Sequence, residues 1–471
     1  MQLLKEFKVH QNIEKIFIVL TLIFGFLYVF ILPPFQSVDE GNHFFRTYQI
    51  ADGNFVSKNI SNEIDTSNNQ YIGDYIPLSL FEYYTNYEPF IKNIDKKQNF
   101  ENIIRDFKTN IDSEEKKFVS LLNTSLYSPV CYLSQLPGVI LAKSFTNNLA
   151  IVYYFGRLSN LLIYCLLIFW ALRIIPFYKL PLMLLALCPM SLSLAGAYTS
   201  DVMVFGLNFL WIAYILKFIV SKERDFVKIF ILSTLAFLIT ISKSYILLLP
   251  LYFLIPVNNY KNKRNYFISM FCVIFSVILS GFIWYSLSKG LTLNMNNAVS
   301  DSSSQIEFIK LHPINYIWIL LKTFIVKTPR LLITMIGVLG WQDTKLDWST
   351  YILYPVMVYF AIFSDNFKFE FLKWQKYLIL ITIITGIVLT YTSLYIMWSP
   401  VANPLILGLN GKYFIPLMMP LFLLFKKSQP KYDYTITLKY VSPVVILILF
   451  TSELSLLYRF YNLTPQLYYK V

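Results

Sequence analysis

The chain has 471 residues, 56% of them hydrophobic and only 14% charged, with a mean hydropathy of +0.53, whereas soluble domains carry about 25% charged residues. That much apolar surface cannot be hidden in a water-soluble core, which leaves an integral membrane protein with many spans. The net charge of +13 is accordingly read as loop charge that fixes topology, not as a nucleic-acid footprint.

Lys5, Lys8 and Lys15 place residues 1–15 on the cytoplasmic side. The charge-free run "IFIVLTLIFGFLYVFIL" follows, and a first span is predicted near 16–34, running outward. Pro33 and Pro34 stand where a signal peptide would show a small-residue cleavage site, so the run reads as a retained span. Residues 35–150 form a long polar segment with 14 Asp/Glu against 10 Lys/Arg, which suits the outer side. Within it, the short apolar stretch 127–145, "YSPVCYLSQLPGVILAKSF", reads as a helix lying along the outer surface or dipping partly in.

Further spans are predicted near 152–172, 181–198, 202–220, 227–241, 244–257, 266–288, 349–364, 377–397, 413–425 and 438–456, about eleven in all. With that register the lysines and arginines at 173–179, 222–228, 261–264, 368–376 and 426–431 fall in cytoplasmic loops. Segment 289–348, which includes the polar "NMNNAVSDSSSQ", reads as outer-surface helices capped by a loop. The expected organisation is an all-α membrane protein with a cytoplasmic N-terminus (1–15) and two transmembrane modules. The first is 16–265, including the outer loop 35–150, and the second is 266–471, including the outer segment 289–348.

Cys131, Cys165, Cys188 and Cys272 form no CxxC pair and have no zinc-ligand spacing, so they read as small buried side chains. No P-loop or dinucleotide fingerprint is present.

In this topology the unusual polar residues share the outer side. Asp39, Glu40, His43 and Arg46 follow the first span, and Arg157 and Asn160 open the second. Asp201 heads an apolar run, and Lys243 sits at a turn. His312, Trp341, Asp343, Lys412 and Tyr413 lie in later outer segments. Ionised groups at membrane depth are expensive, so a set drawn from both ends of the chain points to a water-filled cavity at the outer face. Plainer readings exist for most of them. Asp39 and Glu40 can cap a helix; Asp39 and His43, four apart, can be an ion pair. Arg157, Lys243 and Lys412 can snorkel; Trp341 and Tyr413 can be interface anchors. Asp39, Glu40 and His43 together permit a Mg²⁺ or Mn²⁺ ion without demanding one, and the absence of an H-E-x-x-H motif argues against zinc. Chemically, cations at the membrane edge suit a lipid-linked phosphate. A carboxylate beside them suits activation of a hydroxyl.

The stretches "VDEGNHFFRTYQIADG", "SPVCYLSQLPG", "GRLSNLL", "LALCPMSLSLAGAYTSDVMVFGL", "SKSYILLLP", "HPINYIWILLKTF", "GVLGWQDT" and "LGLNGKYFIPLMMPL" occur in that order over about 33–420. In this the chain resembles a bacterial multi-pass family of uncharacterised function, domain of unknown function 2142, grouped with the GT-C superfamily of polyprenyl-phosphate-sugar glycosyltransferases. It departs from that pattern at Val38, where the family usually has proline, and at Lys412, where arginine is frequent.

The resemblance implies a GT-C-like fold in the bacterial plasma membrane, with the active site facing outside. It gives the role of base to the acidic residue after the first span, hence Asp39 with Glu40 beside it. It gives the donor phosphate to Arg157, Lys243 and Lys412. It implies inverting transfer of a sugar from a polyprenyl phosphate to a hydroxyl of a cell-surface polysaccharide or teichoic acid. A transporter or flippase for a lipid-linked glycan, and a scaffold subunit with a dead fold, are the alternatives.

Overall fold

Crossing a membrane in one continuous helix takes about 20 apolar residues, and several apolar runs of this chain form shorter elements. The computed structural model describes residues 2–60, 71–243, 246–291 and 300–461. In chain order, α1 (Gln2–Ile31) ends just before Pro33 and Pro34, and α2 (Glu40–Ala51) follows. A polar subdomain comes next: β1 (Lys58–Asn59), β2 (Ile72–Pro77), α3 (Leu78–Tyr87), α4 (Phe100–Lys108) and β3 (Lys116–Ser120). The three strands pair antiparallel in the order β1-β2-β3. This small sheet was not expected from the sequence.

The stretch 127–145 forms a 3₁₀ turn, Pro129–Tyr132, and a ten-residue helix, α5 (Leu136–Phe145). At ~1.5 Å per residue α5 is too short to span. It packs between α2 and α6 (Leu149–Ile174). Then come α7 (Lys179–Ala186), α8 (Pro189–Ala195), α9 (Asp201–Val220), α10 (Asp225–Lys243), α11 (Lys263–Leu287), α12 (Ser302–Leu311) and α13 (Pro313–Gly337). A two-stranded β4 (Val338–Leu339) and β5 (Thr344–Lys345) precede α14 (Trp348–Ser364), α15 (Lys373–Trp398), α16 (Ile415–Leu423) and α17 (Tyr434–Phe460). In segment 289–348, residues 292–299 lie outside the described residues.

Among the described residues seven helices are long and apolar enough to cross a membrane: Ile13–Ile31 of α1, α6, α9, α10, α11, α15 and α17. This corrects the expectation of about eleven. The four remaining apolar runs do not form long helices: proline interrupts or crowds three of them, whereas α14 continues through its proline and simply ends short. Near 181–198, α7 stops and α8 restarts on Pro189, with Cys188 extended at ψ 135°. Proline lacks the N–H and pushes the preceding residue out of the helical region. Residues Ile246–Leu254 form a 3₁₀ stretch around Pro250. α14 carries Pro355 and reaches 17 residues, and α16 has Pro416 in its first turn, Pro420 inside, and only nine residues. Among the described residues the protein is an all-α membrane protein with seven spans, apart from two small sheets.

Short elements pack among the long ones. α7, α8 and α9 are almost wholly buried, and α9 is the most enclosed of the seven spans. α11 is mostly exposed apolar surface, as lipid contact requires. Ion pairs mark one end of the bundle, with Lys179 on Glu14 at 2.6 Å and Lys426 on Asp365 at 2.7 Å. The other end carries α2, the start of α9 and the end of α10, and there the candidate site lies.

Candidate functional site at the helix ends

After α1 the chain turns sharply into α2, and Asp39 occupies the turn with φ 60° and ψ 12°. This is the left-handed region, which non-glycine residues enter rarely and Asp more readily than most. Such strain gathers at functional sites. The Asp39 carbonyl accepts from the His43 N–H at 3.1 Å. Its carboxylate makes no hydrogen bond or ion pair among the described residues.

Glu40, beside it, points the other way and is committed to Arg157. Arg157 Nε donates to Oε1 and Nη2 to Oε2, both at 2.8 Å, and neither side chain reaches solvent. Oε1 also accepts from Tyr198 N at 3.0 Å, and Oε2 from Ser37 N at 3.1 Å. The other guanidinium donors go to the carbonyls of Val29, Leu32 and Pro33 at 2.8, 2.7 and 3.1 Å. Guanidinium has five N–H groups, and all five of Arg157 are thereby used within the protein. This pair ties α6 to the junction of α1 and α2.

Asp201 opens α9 and gathers two cations. Lys412 Nζ lies 2.8 Å from Oδ2, and Lys243 Nζ, at the end of α10, lies 3.3 Å from Oδ1. Thr199 Oγ1 donates to Oδ2 at 3.2 Å, and Lys243 also donates to Ser200 Oγ at 3.1 Å. Lys412 sits in the 3₁₀ turn Gly411–Phe414, where Asn410 accepts from the Lys412 N–H at 3.0 Å. A Cβ at Gly411 would collide with the backbone of Leu331 and Met335 on α13. Glycine therefore lets this turn press against α13 and bring Lys412 to Asp201.

Aromatic rings frame the cations. The Lys243 ammonium is 4.7 Å from the ring centre of Tyr127 and 5.9 Å from that of Tyr413; Lys412 is 5.8 Å from Tyr413. Contacts of this kind favour a held cation. His43, one turn along α2 from Asp39, lies with Nδ1 3.1 Å from the Tyr132 hydroxyl and its ring parallel to Tyr127 at 6.3 Å.

The electrostatics separate the titrating groups. Burial, reinforced by Lys243 and Lys412, pushes the His43 imidazole down to about 3, so it is neutral at physiological pH. Burial pushes the Asp39 carboxyl up, against the pull of Lys412 and Lys243 and with a smaller push from Asp201. Asp39 therefore feels the lysines without touching them. A carboxylate raised in this way, and without a partner among the described residues, can take a proton.

The other residues singled out in the sequence go to structural tasks or elsewhere. Arg46 donates to the carbonyls of Phe55 and Tyr127 at 2.8 and 3.2 Å. Asn160 donates to the carbonyls of Leu194, Ala195 and Ala197 and so caps the end of α8. Trp341 donates to the Phe35 carbonyl at 2.9 Å, pinning the turn before Asp39. Asp343 pairs with Arg459 of α17 at 2.7 Å. His312 is exposed between α12 and α13, against Phe308. Among the described residues no three His, Cys, Asp or Glu side chains gather as metal ligands.

A groove of about 490 Å³ runs from this cluster along α10, α11 and α15. Leu247, Trp284, Leu389, Leu394, Met397 and Trp398 give it mostly apolar walls, and Lys243, Tyr127 and Tyr413 close one end. Tyr127, Tyr132 and Trp284 were missed by sequence reasoning. In a chain that is 18% aromatic a tyrosine carries little signal. The only cue was that Tyr127 and Tyr132 flank Pro129 in a short apolar stretch of the polar segment.

Fold and site together define a multi-pass membrane protein with a charged cluster at its helix ends, opening onto an apolar groove. Residues 22–421 match the model of the family described as "Predicted membrane protein (DUF2142)", and the chain belongs to that family. No curated protein and no solved structure matches it. The GT-C architecture implied by the resemblance is thus not shown, and the seven-span description replaces it.

Proposed function

We propose that this protein transfers a sugar from a polyprenyl-phosphate donor to a hydroxyl of a cell-surface polysaccharide or teichoic acid at the outer face of a bacterial plasma membrane. The observation that carries the reading is an apolar groove of about 490 Å³ ending at Lys243, with the Asp39 carboxylate, unpartnered among the described residues, in electrostatic range of that lysine. A prenyl chain suits the groove, and a phosphate suits its cationic end.

In the reaction the Asp39 carboxylate takes the proton of the acceptor hydroxyl. The hydroxyl oxygen bonds to the anomeric carbon as the bond from that carbon to the phosphate oxygen breaks. The phosphate departs with the bonding pair, and Lys243 and Lys412 offset its charge. A single displacement of this kind inverts the anomeric centre. Glu40 and Arg157 support the turn that presents Asp39, and Asp201 holds the two lysines when no phosphate is there. The excess of lysine and arginine in the loops at the end opposite Asp39 supports the outward orientation.

Purified protein in lipid nanodiscs, given a labelled polyprenyl-phosphate sugar and candidate acceptors, tests this. Transfer that disappears in Asp39→Asn while the fold is retained supports it; full activity in that variant removes Asp39 as the base.

A second reading, a transporter or flippase for a lipid-linked glycan, draws on the broken helix formed by α7 and α8, since discontinuous helices build transporter sites. The break at Leu187 and Cys188 is buried and lines neither cavity described here, which favours the transferase. Translocation of a labelled lipid-linked glycan in liposomes without bond chemistry would reverse that order.

A further inference from the structure

A second cavity, about 360 Å³, lies in the polar subdomain at the far end of α2 from Asp39. Four separate segments build it: the C-terminal turn of α2, β2, the connection into β3, and the end of α5. Its volume falls within the ~300–1,000 Å³ of small-molecule sites. Unlike the groove, its lining is dominated by polar groups, with the amides of Asn54 and Asn147 and the rings of Tyr48 and Tyr75.

The charges within it are uneven. Lys143 is neutralised by Asp52 and lies 4.1 Å from the Tyr48 ring centre. Lys116 has no ion-pair partner among the described residues. Among the described residues the cleft therefore offers one unspent positive charge, amides that can serve hydroxyl groups, and an exposed Tyr75 ring. Tyr75 is braced edge-on by Phe118 at 5.4 Å. This set recognises a polyhydroxylated ring carrying one negative group.

We propose that this cleft is a carbohydrate subsite that takes an anionic sugar unit of the acceptor chain. The assignment to an acceptor rests on the transferase reading above. α2 has 12 residues and is about 18 Å long at ~1.5 Å per residue. It carries Asp39 at one end and Tyr48 and Asp52 at the other, and so fixes the distance between the reacting hydroxyl and the held unit. An acceptor must then be several units long to occupy both places.

The test measures binding to the full-length protein in nanodiscs by isothermal titration, with tetragalacturonate as the anionic probe and maltotetraose as the neutral one. Tetragalacturonate is expected to bind, and Lys116→Ala and Tyr75→Ala each to weaken it about tenfold with unchanged melting temperature. Both side chains lie at the surface; Lys116→Ala removes no ion pair among the described residues, and Tyr75→Ala gives up only surface contacts with Phe118 and Lys58. Asp39→Asn is expected to bind the probe as the wild type does. Binding that ignores both cleft variants, equal binding of maltotetraose, or no binding of either probe would overturn the proposal. Cleft-dependent binding without any sugar transfer would uphold the carbohydrate subsite while removing the transferase reading.

Discussion

Arg157 and Glu40 meet through two parallel contacts of 2.8 Å, with no part of either side chain reaching solvent. The pair closes a ring of hydrogen bonds around the exit of α1, so the turn at Asp39 rests on it. Removing one partner from a buried ion pair leaves an uncompensated charge and costs about 3–5 kcal/mol. Arg157→Ala is therefore expected to unfold at a much lower temperature than the wild type, or to fail to accumulate. Arg157→Lys should also lose stability, because an ammonium cannot serve five directions at once. Thermal melting of the purified variants checks this; a wild-type melting curve for Arg157→Ala would refute the structural role.

Asp39 should behave in the opposite way. Asn tolerates the left-handed turn nearly as well as Asp, so Asp39→Asn is expected to fold. Its transfer rate should fall by about 10²–10⁴-fold, the usual worth of a general base.

The pH dependence gives an independent check. Burial holds the folded Asp39 carboxyl above its unfolded value of about 3.9. The stability from that shift is fully present below the unfolded pKa and is lost as pH rises through the folded one. Asp39→Asn lacks this loss. Relative to wild type, its melting temperature should rise across that window and then level off. The charged groups that face Asp39 are Lys412, Lys243, Asp201 and Lys92. The acid limb of the wild-type rate profile should lie above the ordinary carboxylate range. A flat difference between the two melting profiles would show that Asp39 is not buried as described.

Much of this arrangement was legible in the sequence, and the failures have physical causes. The seven long spans were visible because each is a long, predominantly apolar run. Three of the four runs wrongly counted as spans carry prolines that break or shorten the helix, and the fourth, α14, continues through Pro355 but reaches only 17 residues. The β1–β3 sheet escaped notice because its strands are short and lie in a polar segment without clear alternation. Asp39, His43, Asp201, Lys243, Lys412 and Tyr413 stood out as polar residues at the ends of apolar runs, and the structure brings them together. Glu40 and Arg157 gave the same signal. Only their geometry shows that each is the other's partner, because an ion pair between residues 40 and 157 leaves no local trace.

The two lysines should be separable from the base. Lys243→Met and Lys412→Met each remove one cation from the place assigned to the departing phosphate, and each is expected to slow transfer by about 10²–10³-fold. Lys412→Arg keeps the charge and should retain most of the activity. Asp201→Asn leaves two buried ammoniums facing each other without their shared counter-ion, so it should destabilise the fold as well as the reaction. Comparing rates with melting temperatures distinguishes these outcomes.

The groove makes a prediction that depends on the donor and not on the chemistry. Ser393 is an exposed residue of α15 on the wall of the groove that ends at Lys243. Ser393→Trp adds a large ring there without entering the packed core, so the fold should survive. A long prenyl chain would then be excluded from its seat, whereas a short geranyl chain would still reach the lysines with its phosphate. The expected result is a KM raised about tenfold or more for the long-chain donor, equivalent to ~1.4 kcal/mol of lost binding, with little change for the short one. A matched rise for both donors would mean that the added ring disturbs the cationic end itself. No change for either would mean that the lipid chain lies elsewhere, on the lipid-exposed faces of α11 or α15.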